Sequence, residues 1–351
     1  MHESGHESGH EALHEALHEL ELLVIGAGPG GIAAAVEARL AGVPAEAILV
    51  LEKGEAHSVS IRKLYPEAKP VTANYKGIEP RCEGALCLAD TSKDEVLAYL
   101  DQAIARHGVR VSYGEEAHTV VQEPAERLVV RTSKGSYASR VVVVAVGIFG
   151  RPAKPSYPLP KTLPNRVLFD VTSVAIHLER VLVVGGGDSA SEYCQFLVAQ
   201  DNHVTLAYRG RDFWRMTDGN RQALLALEKS GALTVFRDTD IAAVRDVGGK
   251  PDVAFAPGST VAFDRLVYAL GGSTPQGFLA ASGVEFRAGE PVLSETLETS
   301  VRGLFLTGDL MAGKRGGSIV SAFNASHRVI QRIRPQGIRG PELPHRRVPC
   351  E

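Results

Sequence analysis

Cysteine is scarce in this chain: four residues, Cys82, Cys87, Cys194 and Cys350, among 351, with no Cys-x-x-Cys. That density excludes the disulfide framework of a small secreted domain and the compact dithiol of many redox proteins. Long apolar runs are absent as well. No stretch approaches the roughly 20 residues of a membrane helix, and no apolar core resembling a signal peptide precedes the first strand, so a soluble, cytoplasmic protein without a membrane partner is expected. Charge of one sign is lacking too. With 38 basic and 41 acidic residues and a net charge of -3, nothing calls for nucleic acid or an anionic membrane as partner. The length suits two domains of ordinary size.

The first 20 residues stand apart. His2, His6, His10, His14 and His18 recur every fourth position, each followed by glutamate. As a helix, 11–22 would stack imidazoles on one face, a geometry able to hold a divalent cation. As a tandem duplication or an expression tag it has no core to build. Residues 1–20 are set outside the fold as disordered, and no metal site is assigned.

Glycine is what the chain has in clusters. The apolar run 22–25 is a buried-strand pattern, followed at once by Gly26-Ala27-Gly28-Pro29-Gly30-Gly31 and by an alanine-rich helix over 32–40. Gly26 permits the tight turn, Gly28 lets the backbone approach a diphosphate, and Gly31 lets helix and strand pack. The diphosphate would rest on the unpaired N–H groups of the helix start. A second strand over 47–51 ends in Glu52, whose carboxylate suits the two hydroxyls of an adenosine ribose.

The pattern recurs at Gly185-Gly186-Gly187-Asp188-Ser189-Ala190, after the strand 181–184 and before a helix over 189–199. The next strand, 203–208, ends in Arg209 and Arg211 instead of an acid, with Arg215 close behind. A guanidinium fork cannot accept from ribose hydroxyls but suits a 2'-phosphate, which favours NADPH over NADH. Arg215 belongs either to that cluster or to a solvated basic loop.

The segments between and after these turns suggest interleaved domains. A helix over 92–107 and strands over 109–113, 128–132 and 140–146 continue the first, the last strand ending in Gly147. A proline-rich linker, 151–158, leads into the second domain, over 165–257. Strands at 266–272 and 303–309 and a helix over 319–333 then return to the first. The expected fold is α/β, with two Rossmann-like three-layer dinucleotide-binding domains, the second, the NADPH domain, inserted into the first. The boundaries are 21–152 and 262–334 for the first domain and 165–257 for the other, with a tail over 335–351.

In this order of motifs the chain resembles thioredoxin-reductase-like flavoproteins over 21–334. The resemblance implies FAD at Gly26, Gly28, Gly31 and Glu52, with Pro29, Gly30 and Gly147 alongside. It implies NADPH at Gly185, Gly187, Ala190 and Arg209, with Asp188, Ser189, Arg211 and Arg215 alongside. Thr307-Gly308-Asp309 is similar to the family's second FAD motif, its Asp meeting the ribityl chain. Gly317 and Ser318 would lie beside the flavin's pyrimidine edge, where the helix that follows can aim N–H groups. The resemblance also implies a homodimer.

The redox centre departs from the pattern. Where thioredoxin reductases carry a dithiol, upstream of the second glycine turn, residues 167–172 read Val-Leu-Phe-Asp-Val-Thr. Bacillithiol disulfide reductase-like proteins, which the chain also resembles, are expected to carry a cysteine within the first glycine turn; here Gly30 stands there. Cys82 and Cys87 have the spacing of glutathione-reductase-type pairs but lie far beyond Glu52, on an extended segment. They are either a redox pair or small apolar side chains filling a core. Leu64-Tyr65-Pro66-Glu67, with Lys69 and Gly77, resembles the flavin-covering segment of ferredoxin-NADP reductases of the thioredoxin-reductase-like type. There Tyr65 would stack on the isoalloxazine ring; otherwise it is a turn aromatic before proline. That branch often has an aromatic or histidine in its tail, and here the tail offers only His345.

The expected activity is hydride transfer from NADPH to FAD, then electron delivery to an external acceptor, ferredoxin or flavodoxin. The alternatives are a disulfide reductase acting through Cys82 and Cys87 or from flavin directly, and a redox sensor holding both cofactors.

Overall fold

A computed structural model describes residues 18–66, 69, 71–73, 81–123, 127–148, 152–256, 258–312 and 317–333. The repeat before His18, Gly77, and the tail with His345 and Cys350 lie outside them.

The first sheet has seven strands. They are β1 (His18–Ile25), β2 (Ile48–Glu52), β3 (Val111–Tyr113), β4 (Ala117–Glu123), β5 (Arg127–Thr132), β6 (Ser136–Val144) and, near the end of the chain, Leu304–Leu306. β1 pairs in parallel with β2 and β6, and β3 with β2, while β4 and β5 add an antiparallel hairpin. β6 changes partner midway. Its first half, Ser136 to Ser139, pairs with β5; its second, Val142 to Val144, pairs in parallel with Leu304–Leu306. The run Leu22, Leu23, Val24 and Ile25 is buried on both faces, as a covered parallel sheet requires. Leu22 and Val24 face a cluster with Ile32, Val96, Leu100, Phe323 and Val329; Leu23 and Ile25 face Leu128, Val142, Leu304 and Leu306. The first layer is made by α1 (Pro29–Leu40), α3 (Lys93–His107) and a late helix, Ile319–Ile333; α2 (Val59–Leu64) follows β2. Ser92 opens α3 with a reciprocal cap, its hydroxyl accepting from Glu95 N and the Glu95 carboxylate from Ser92 N.

The second sheet is all parallel, from β7 (Val167–Leu168), β8 (Arg180–Val184), β9 (His203–Ala207), β10 (Leu233–Phe236) and Arg265–Tyr268, in the order β10-β9-β8-(Arg265–Tyr268)-β7. The helices α4 (Asp188–Ala199) and α5 (Asp218–Lys229) pack on it. A three-stranded antiparallel meander, β11 (Asp240–Val247), β12 (Lys250–Ala256) and β13 (Thr260–Ala262), leads into its strand Arg265–Tyr268, β14. A short helix α6 (Gln276–Ala281), a two-stranded ribbon β15 (Phe286–Arg287) and β16 (Glu290–Pro291), and the strand Leu304–Leu306, β17, follow. Then come α7 (Asp309–Ala312) and the closing helix α8 (Ile319–Ile333).

Two expectations need correction. The strand near 266, placed with the returning first domain from residue 262 onward, is β14 of the second sheet, in register with β8 from Arg265↔Val181 to Tyr268↔Val184. A four-residue apolar strand carries no mark of which parallel sheet it joins, and the β11–β13 meander is the crossover that brings it back beside β8. The ordered chain also begins earlier than residue 21. His18, Glu19 and Leu20 extend β1, paired with Tyr137, Ala138 and Ser139. The two passages between sheets run side by side, with Ala153 N donating to Gly271 O (2.9 Å) and Ser273 N to Ile148 O (2.9 Å).

Candidate functional site

At the first glycine turn the backbone leaves no room for side chains at two positions. Gly26 has φ +105°, and a Cβ there would fall 2.7 Å from Ala145 O; a Cβ on Gly31 would fall 1.9 Å from Gly26 O. Gly28 is different. It is the extended N-cap of α1, without a side-chain cap, and a Cβ on it would meet only Ala145 O, at 3.8 Å. The helix start with its unpaired N–H groups therefore opens onto free space, the arrangement a diphosphate needs. Pro29 is the first residue of α1, where its missing N–H costs nothing.

Glu52, at the end of β2, is 9% exposed and folds over this turn. Its Oε2 accepts from Ala27 N (3.0 Å) and its Oε1 from Gly54 N (2.8 Å). Each carboxylate oxygen has a second lone pair left for a hydroxyl donor. On the other side, Ser326 Oγ donates to Gly30 O (2.7 Å) and shares a hydrogen bond with Thr307 Oγ1 (2.8 Å), both side chains fully buried. This relay ties α8 and the end of β17 to the glycine turn. Sequence reasoning passed over Ser326, since a serine inside an amphipathic helix carries no signal of its own.

Asp309 follows β17 and opens α7. Burial pushes its carboxyl pKa upward, and among the described residues no cation or donor side chain offsets that cost. A carboxylate desolvated without a partner is suited to hydroxyl donors from outside the chain. Gly317 and Ser318 stand before α8. Ser318 is partly committed: its Oγ accepts from Ser321 N (3.1 Å) and its N–H donates to Ser321 Oγ (2.7 Å). Gly147 follows β6 with φ +64° and space around its Cα.

The second turn repeats the geometry. A Cβ on Gly185 would lie 2.5 Å from Ala269 O, and Ala190 packs at 3.1 Å from the same point. Gly187 is the extended, uncapped N-cap of α4, with nothing within 4 Å of a Cβ. Ser189 is half-buried in the first turn of α4. Asp188, expected beside the nucleotide, faces the α5 entrance. Its Oδ1 accepts from Thr217 N (2.7 Å), Thr217 Oγ1 (2.8 Å) and Asn220 Nδ2 (2.9 Å). Three donors on one oxygen make Asp188 an anchor of the loop between β9 and α5.

That loop carries the arginines. Arg209, Arg211 and Arg215 are all exposed, and Arg215 lies over the Trp214 ring. Arg211, Phe213, Trp214, Arg221, Leu225 and Arg237 line a cavity of about 350 Å³. Arg237 is held by a bidentate pair with Glu228 and Arg221 by Asp218, which leaves Arg211 as the cavity's third cation, with Asp212 also in the lining. Arg221 and Arg237 lie too far along the chain from the glycine turn for its motif to include them. Tyr208 is wedged between Gly186 and Gly210, where Cβ atoms would come within 2.0 and 2.8 Å of its ring.

Cys82 and Cys87 are joined in a disulfide, with Cα atoms 5.5 Å apart. Cys82 is half-buried and Cys87 exposed. The loop is clamped to helix bodies: Glu83 N donates to Asn324 Oδ1 (3.0 Å), Ala85 N to Glu37 Oε1 (2.6 Å), Cys87 N to the Tyr99 hydroxyl (3.1 Å). Glu37 and Asn324 each stand six residues past Gly31 and Ser318, about 9 Å along their helices. Cys194 is fully buried in α4 and its thiol pKa is pushed far up by desolvation. It packs in the core of the second unit. Among the described residues no cluster of His, Cys, Asp or Glu is arranged to hold a metal ion, and no helix is long and apolar enough to cross a membrane.

Tyr65 ends α2 with its ring partly in the first core cluster. Lys69 Nζ sits 3.8 Å from the centre of that ring.

Two sheets, each from a central parallel strand, present a glycine turn to an uncapped helix start. One turn is closed by a buried acid and the other flanked by exposed arginines, which defines a two-site dinucleotide-binding oxidoreductase. The chain belongs to the pyridine nucleotide-disulphide oxidoreductase family, whose profile matches residues 23–308. It is therefore an FAD- and NAD(P)H-dependent oxidoreductase. Ferredoxin–NADP reductase 1 of Cupriavidus taiwanensis is 30% identical over 312 residues, covering 83% of this chain and 82% of that protein. The bacillithiol disulfide reductase structure from Staphylococcus aureus superposes with a TM-score of 0.78 at 20% identity, over 90% of this chain and 98% of that one. The thioredoxin reductase of Lactococcus lactis superposes with a TM-score of 0.73 at 20% identity, over 90% and 97%. The fold is thus that of thioredoxin-reductase-like two-domain Rossmann proteins.

Proposed function

We propose that this chain is an NADPH-dependent flavoprotein reductase that delivers electrons to a small external redox protein, a ferredoxin or flavodoxin, in the cytoplasm and as a homodimer. The observation that carries this reading is the missing relay: residues 167–172 hold no thiol, and Gly30 stands where a cysteine would sit in the first turn. The likeness to a ferredoxin–NADP reductase over four-fifths of both chains supports it.

The FAD site is the first turn and its surroundings. The α1 start receives the diphosphate, Glu52 the adenosine ribose, Asp309 the ribityl hydroxyls, and Gly147, Gly317 and Ser318 border the ring. Bound there, FAD supplies the two-electron acceptor for NADPH and the donor for the partner protein. The second turn holds NADPH: α4 binds its diphosphate through Gly187 and the N–H groups that follow, and Arg209 with Arg211 binds the 2'-phosphate. Tyr65 shields one face of the flavin site from water. The chain's share of the chemistry is positioning and electrostatics.

A second reading, reduction of a disulfide substrate through Cys82 and Cys87, is favoured by the bonded pair and by the exposure of residue Cys87. Against it stands the clamped loop, whose anchors Glu37 and Asn324 lie about 9 Å along α1 and α8 from Gly31 and Ser318. An anaerobic stopped-flow assay against a panel of acceptors separates the two. Ferredoxin or flavodoxin reduced at a rate matching flavin reduction supports the first reading. NADPH oxidation that is fast only with an added disulfide overturns it.

A further inference from the structure

α2 and the segment that follows it touch the second sheet's unit at two places. Lys69 Nζ pairs with Glu192 Oε2 on α4 at 2.8 Å, with both side chains mostly buried, 17% and 16% exposed. Thr172 Oγ1 donates to Lys63 O. Thr172 belongs to a turn pinned by Asp170, whose Oδ1 accepts from Thr172 N (2.9 Å) and Ser173 N (2.7 Å). The segment is also fixed on its own side, since Lys93 Nζ donates to Arg62 O (2.9 Å) and Tyr65 O (2.8 Å). The ammonium of Lys69 therefore stands between the Tyr65 ring, at 3.8 Å, and the Glu192 carboxylate.

Glu192 lies one turn into the helix whose start is the second glycine turn. We infer that Lys69 is a positioning residue: its ion pair with Glu192, under Tyr65 and beside the Thr172 contact, latches the two nucleotide-binding units in one working orientation. A buried pair is screened little by salt, unlike an exposed one, so the latch holds at ordinary ionic strength. Burial alone would lower the Lys69 pKa; Tyr65 and Glu192 outweigh it and the net shift is upward, so the ammonium stays charged. Residues 167–172 hold no dithiol that would have to alternate with NADPH at the flavin, so nothing in the proposed cycle calls for the units to swing apart. The inference deepens the proposed NADPH-to-FAD transfer and rests on it for its kinetic consequence.

The test uses the FAD-loaded full chain with spin labels introduced through unnatural amino acids at exposed Asp94, on α3, and Lys229, on α5. One narrow label-to-label distance is expected, broadened in Lys69→Met and in Glu192→Gln, and narrow again in Lys69→Arg and in the exchanged pair Lys69→Glu/Glu192→Lys. In stopped flow at saturating NADPH, Lys69→Met should slow flavin reduction at least tenfold, with less than a threefold change in NADPH Kd, and Lys69→Arg should recover most of the rate. A distance as narrow in both single variants as in the parent overturns the latch. So does a broadening that neither Lys69→Arg nor the exchanged pair reverses. If the parent flavin is not reduced by NADPH at all, the proposed function falls while the distance measurement still decides the latch.

Discussion

The two glycine turns share a backbone plan and differ in their enclosure. The first is lined by buried groups: Glu52 over Ala27, the Ser326–Thr307 relay on Gly30, and Asp309 with no cation side chain beside it among the described residues. The second is open, its arginines exposed and its acid, Asp188, turned away to Thr217 and Asn220. Buried polar groups reward a ligand that stays, because each is costly when left unpaired. Exposed cations attract a charged ligand quickly and release it, as a substrate must be. On the proposed assignment of FAD to the first turn and NADPH to the second, the difference separates a resident cofactor from a consumed one on a single chain.

The comparison breaks most completely at Gly31. A Cβ placed 1.9 Å from Gly26 O forces the helix off the strand, so Gly31→Ala should cost more than about 3 kcal/mol and yield colourless protein. Denaturant unfolding and FAD content check this. At the open turn the damage is confined to one ligand. Arg209→Ala should raise KM for NADPH about ten- to hundredfold, the worth of a charge-assisted contact, with NADH kinetics and FAD content unchanged.

Asp309 joins stability to the resident cofactor. Burial raises its pKa, so the folded apoprotein keeps a proton that the unfolded chain releases near pH 3.9. Apoprotein stability should fall as pH rises from there through the raised pKa. Asp309→Asn should flatten that fall and, at pH 7, stabilise the apoprotein while weakening FAD about tenfold. Urea titrations of apoprotein across this range, with FAD binding by fluorescence, read both effects. The smallest effect belongs to Gly30, where a Cβ would meet Gly308 N and Thr307 Cγ2 at 3.4 Å. Gly30→Ala should cost under about 1 kcal/mol and keep the flavin, in contrast to its neighbour.

Both glycine turns, Glu52, the arginines after β9 and the segment before α8 were legible in the sequence because they are local: strand, turn, helix and terminal residue follow one another. What escaped depends on contacts between distant segments. The destination of β14 is set by the β11–β13 crossover. The Asp188 carboxylate is claimed by residues 29 to 32 positions away, and the cavity beside Arg211 draws Arg237 from beyond α5. Lys69 and Glu192 are 123 positions apart and meet only because one unit is inserted in the other. Cys82 and Cys87 illustrate the boundary. Their spacing raised a redox pair and a packed core alike, and the sulfurs are bonded, on a loop stapled to α1, α3 and α8 by hydrogen bonds.

That staple bears on the central claim, a flavin with no thiol relay. Anaerobic titration of the FAD-loaded protein with NADPH, with alkylation and mass analysis of Cys82 and Cys87 at the end point, tests it most directly. The account predicts two electrons taken up per FAD and no label on either cysteine; four electrons with both cysteines alkylated would contradict it.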